Sequence, residues 1–182
     1  VSFHKFGKDF RIVRRVLAMS LFGFSVAFVA IRYFYLTYLQ YVEWNASYLT
    51  RYLLPPHVSI TYLFGFHITR FLLYYVVSFF VALAFLMLAR YANHRFGGKF
   101  FEYEEPWLGA LGIFVLGNWE WLWGWSWAVY FVGLVGVYLL MHIGQLFWAK
   151  IKKGSFEDTP RTSLYWLWMP IALLTIITVQ LV

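Results

Sequence analysis

The chain has 182 residues, of which 62% are hydrophobic, 24% aromatic and 13% charged. A water-soluble fold cannot hide 20 Phe, 14 Tyr and 10 Trp beneath 15 basic and eight acidic side chains, so the bilayer is expected to be its solvent. With no cysteine, disulfides, thiolate metal sites and thiol nucleophiles are excluded; the net charge of +7 lies beside apolar segments, where it meets anionic lipid, and nucleic acid is not expected.

The reading is an all-α polytopic membrane protein, one helical domain over residues 1–182. Five segments reach the roughly 20 apolar residues needed to span: 16–38, 71–88, 106–123, 127–148 and 164–182. The first follows basic residues, as a signal peptide would, but its apolar run is too long and has no small-residue cleavage site, so it is read as a retained anchor. Arg32 lies 17 residues beyond Arg15, roughly 25 Å along a helix, and is expected to snorkel at the far interface. On the same segment Ser20, Gly23, Ala27 and Ala30 recur at spacings of three and four, giving a face of small side chains that permits close helix approach. Gly109 with Gly112, and Gly133 with Gly136, are its candidate partners.

Next comes "LLPPHVSITYLFGFHIT", in which Pro55 and Pro56 break a helix and leave an apolar run too short to span. An interfacial or re-entrant piece around 53–69 is expected. Tyr33, Tyr35, Tyr38, Tyr41 and Trp44, with the tryptophans at 119–127, suggest an aromatic belt at this end. An N-x-S sequon at Asn45 lies too close to the first span for a glycan to be expected.

Charge orients the spans. Lys5, Lys8, Arg11, Arg14, Arg15, Arg90, Arg95, Lys99, Lys150, Lys152, Lys153 and Arg161 fall on one side, while only Arg51 and Arg70 fall on the other. That puts the N-terminus in the cytoplasm.

The third span begins at "FFEYEEPWLGALG", where Glu102, Glu104 and Glu105 precede Pro106. Acids there favour the positive end of a helix, and Arg95 and Lys99 can neutralise them. The expected form is a charged collar at the water side. As catalytic candidates, Glu104 and Glu105 with His142 resemble the start of CAAX-type membrane proteases, but Leu108 and Gly109 stand where that pattern carries arginine. The paired aspartates of intramembrane aspartyl peptidases are missing, since Asp9 and Asp158 stand elsewhere.

The histidines allow other chemistry. His94 and His142, both toward the cytoplasmic side, are candidates to hold a haem b and pass electrons to a quinone. His142 alone is expected to bond a backbone carbonyl or Gln145. His57 and His67, with Glu120, are metal-site candidates of no recognised spacing. The functional expectation is a non-catalytic membrane subunit or scaffold that packs against partner proteins, or against its own copies, and lipid; the alternative is a haem-binding subunit or a lipid- or peptide-processing enzyme.

Overall fold

The computed structural model describes residues 2–97, 101–102, 104–117, 126–153, 164 and 166–181. Among these the regular structure is entirely helical: α1 (Ser2–Ala46), α2 (Ile60–His67), α3 (Leu73–Arg95), α4 (Glu105–Val115), α5 (Ser126–Lys153) and α6 (Trp168–Leu181). Three stretches are long and apolar enough to cross a membrane: Ile12–Ala46, Ile60–Arg95 and Ser126–Trp148. The apolar parts of α4 and α6, Glu105–Val115 and Trp168–Thr178, are shorter.

At 45 residues α1 is roughly 68 Å long, about twice the hydrocarbon thickness, so it extends well beyond any bilayer it crosses. Its inward face carries Ala18, Phe22, Tyr33, Thr37 and Trp44, whose spacings of four, eleven, four and seven keep one helical stripe against the bundle.

The separate interfacial piece expected around 53–69 is corrected. The break is confined to 47–59, where a 3₁₀ turn (Thr50–Leu53) leads to Pro55 and Pro56. Ser59 then caps α2, its Oγ accepting the Thr61 N–H at 3.3 Å. From Ile60 the chain stays helical through a π turn at Ile68–Leu72 into α3, so the stretch that looked too short to span is the start of the next long helix. The prolines stop helix growth before Ile60, while nothing after it carries a breaker strong enough to end the helix. Trp44, Leu54 and Leu63 pack into a small satellite core that closes α1 on α2.

The centre of the molecule is α4. Gly109, Ala110, Leu111, Gly112, Ile113 and Phe114 are all buried, as befits a helix that is apolar on every side. It touches α1, α3 and α6. Phe22 of α1 and Phe79 of α3 meet Phe114, with ring centroids 5.8 and 6.2 Å apart. The glycines admit these neighbours: a Cβ on Gly109 would stand 2.5 Å from the Phe85 ring and 2.8 Å from Trp168, and one on Gly112 would stand 2.6 Å from the Tyr130 hydroxyl. Gly109 and Gly112 therefore receive aromatic rings from α3, α5 and α6 rather than the small-residue face of α1. At the far end of α4, Ser126 donates from Oγ to the Leu116 carbonyl at 2.8 Å, bringing the start of α5 back to the end of α4.

Candidate functional site

Polar side chains gather where α1, α3 and the start of α4 meet. The connection from α3 is held by Asn93, which donates from Nδ2 to the Phe101 carbonyl at 2.7 Å and accepts the Phe101 N–H on Oδ1 at 2.9 Å. One amide thus satisfies both backbone groups of a residue that no regular element provides for. Gly97, with φ of 65°, turns the chain out of α3 in a conformation that favours glycine. Phe101 is then set against Phe85 at 6.2 Å and Trp168 at 6.4 Å.

The acids do not form the solvated collar expected for them. Glu104 and Glu105 are each 1% exposed, and Glu102 alone of the three is exposed. Because α4 begins beneath the surface of the bundle, its first residues are carried inside with it. Glu105 accepts the Glu102 N–H on Oε2 at 2.8 Å, bridging the turn that leads into α4. Glu104 lies 3.0 Å from Nη1 of Arg14 on α1, whose side chain keeps 29% of its surface exposed. The contact is charge to charge without hydrogen-bond alignment, and Glu104 Oε1 has no hydrogen-bonding donor among the described residues. Both carboxylates also sit at the positive end of α4.

Beside this clasp lies a cleft of about 580 Å³, lined by Arg15, Arg90, Asn93, His94, Gly97, Glu102 and Pro106. Arg90 holds its guanidinium 4.9 Å from the centre of the Trp107 ring. Arg14, Arg15, Arg90 and Asn93 were absent from the candidates drawn from the sequence. Arg90, Asn93 and His94 stand at i, i+3 and i+4, which places them on one helical face and was the available signal.

The other candidates are dispersed. His94 is exposed at the cleft. His142 is half-buried on α5, stacked on Tyr138 at 6.1 Å, and its Nδ1 has no hydrogen-bond partner among the described residues. No described contact joins it to Glu104 or Glu105, and its Nδ1 does not make the bond to a carbonyl or to Gln145 expected of this histidine. His57 is exposed against Tyr52 at 4.9 Å, whereas His67 is buried beside the π turn with neither ring nitrogen bonded among the described residues. Glu120 lies outside the described residues, and among those described no three His, Asp or Glu side chains gather as metal ligands do. Arg32, well short of the end of α1 at Ala46, sits with its guanidinium 5.7 Å from the centre of the Phe71 ring.

The small residues of α1 divide from the glycines proposed to meet them. Ser20, Gly23, Ala27 and Ala30 are all exposed, and a Cβ on Gly23 would meet nothing within 4 Å. They lie roughly 110° around the helix from the inward stripe. Gly133 is approached by Ile171 at 3.5 Å from its notional Cβ, and Gly136 by nothing.

No known protein family, curated protein or solved structure matches the chain.

Proposed function

We propose that this protein is a non-catalytic integral membrane subunit that binds a second membrane helix on the small-residue face of α1. The observation that carries this reading is that Ser20, Gly23, Ala27 and Ala30 form a continuous exposed face, while the bundle uses a different stripe of the same helix. In lipid the hydrophobic effect does not drive helices together, so close backbone approach across such a face supplies the association energy. Much of each long helix is left uncovered by its own chain: 22%, 28% and 11% of the most apolar windows of the three candidate spans are buried. Lipid tails cover the bulky remainder, and a partner helix suits the small-residue face.

The proposed topology has five crossings, with the N-terminus, the 89–105 connection and the end of α5 in the cytoplasm. The hydrogen bond from Ser126 to Leu116 supports it, because it brings the start of α5 to the end of α4, leaving Lys150 near the other end of α5. Shielded by its neighbours, α4 carries the first part of the crossing assigned to 106–123, about half of the hydrocarbon thickness.

Purified in a mild detergent, the protein is expected to migrate with a second membrane chain or with its own copies. Gly23→Ile, which plants a branched side chain on the face, should release that partner, while Leu140→Ile on the exposed flank of α5 should not. A wild-type chain that runs as a stable monomer overturns the reading.

A further inference from the structure

We propose that the cleft between α1 and α3 binds a phosphate group, either the headgroup phosphate of an anionic lipid or free phosphate. Its charge is the first reason. Arg15 and Arg90 face it against the single carboxylate of Glu102, which leaves a positive lining whatever pairs form within it. The remaining nearby acids do not cancel this charge. Glu104 is committed to Arg14, and both Glu104 and Glu105 are closed off at 1% exposure.

Preorganisation is the second. Arg90 is held over Trp107, Asn93 ties the connection at Phe101 to α3, and the bond from the Glu102 N–H to Glu105 fixes the acidic rim. Anchored guanidinium groups present planar donor forks that match phosphate oxygens, so little side-chain freedom is lost on binding. Size and position agree. About 580 Å³ is ample for a phosphate with its glycerol, and the cleft opens at the basic ends of Ile12–Ala46 and Ile60–Arg95, where headgroups lie if these helices span. This inference does not depend on the partner proposed for α1.

The test uses the full chain in detergent, titrated by calorimetry with dioctanoyl phosphatidylglycerol, dioctanoylglycerol and inorganic phosphate. Phosphatidylglycerol should bind saturably and dioctanoylglycerol should not. Arg90→Gln and Arg15→Gln should each weaken binding about tenfold, the loss expected for one charge-assisted hydrogen bond. Arg51→Gln, at the opposite end of the molecule, should leave it unchanged. Arg90 is exposed, so its replacement strands no buried charge; Arg90→Lys, which keeps the charge without the fork, provides a second variant and should bind with intermediate affinity. If millimolar inorganic phosphate competes with the same arginine dependence, the source is free phosphate; if phosphatidylglycerol alone binds, it is the lipid headgroup. Absence of saturable binding by either, or binding indifferent to both arginines, overturns the proposal.

Discussion

Glu104 has exchanged water for one cation at 3.0 Å and a helix end, and that exchange is asymmetric. Arg14 retains 29% of its side-chain surface and can return to solvent, whereas Glu104 at 1% cannot. Removing the arginine therefore leaves a carboxylate buried without its cation, whereas removing the carboxylate leaves a cation that still reaches solvent. Arg14→Gln should cost about 3 kcal/mol, the low end for a broken buried pair, and Glu104→Gln distinctly less. Unfolding in mixed micelles with increasing SDS checks the order, and the double variant should be less destabilised than the sum of the two single ones. The pair joins residues ninety positions apart, which is why the sequence displayed both charges without showing that they meet. An acid just ahead of an apolar run looks the same whether the helix begins at the membrane surface or beneath it.

At the level of elements, α4 illustrates what periodicity can and cannot disclose. Its existence, its start near Pro106 and its small residues were all legible, because a proline near a helix start and an unbroken apolar run are local signals. Its central place was not, since a helix apolar on all sides gives no preferred face from which to infer neighbours. The rings that fill its glycine notches come from Phe85, Tyr130 and Trp168, which are far away in sequence. Likewise the prolines signalled a break correctly, but the length of the helix beyond depended on whether 60–70 joined 71–95, a continuity that the π turn preserves. The placement of α4 relative to α3 depends on Asn93. Asn93→Ala deletes the bonds of 2.7 and 2.9 Å to Phe101, and at about 1 kcal/mol each the α3–α4 connection should loosen by about 2 kcal/mol while the spans remain folded. Limited trypsin digestion reports this directly: cleavage after Arg95 should accelerate in the variant, with the overall unfolding midpoint shifted only modestly.

For the whole molecule, composition alone announced a membrane protein, and three stretches with the required length and apolarity accord with that. The number of crossings turns on α4, whose described 11 residues span roughly 16 Å. If α4 crosses, α5 begins outside and returns its Lys150, Lys152 and Lys153 to the cytoplasm, beside the other basic segments. If α4 stays on the inner side, α5 runs outward and those three lysines face the exterior. Each basic residue near an anionic cytoplasmic surface contributes about 1 kcal/mol, so the first arrangement is favoured by roughly 3 kcal/mol from these lysines alone. Because the chain lacks cysteine, single cysteines provide a clean readout. Placed at the exposed positions Ser47, Arg95 and Ile151, they should react with a membrane-impermeant maleimide differently. Ser47→Cys should label in intact cells, whereas Arg95→Cys and Ile151→Cys should label only after permeabilisation. Labelling of position 151 from outside with position 95 still protected would leave α4 as a helix that enters the bundle without traversing it. Labelling of 95 and 47 from the same side would remove the crossing by Ile60–Arg95 and the orientation with it.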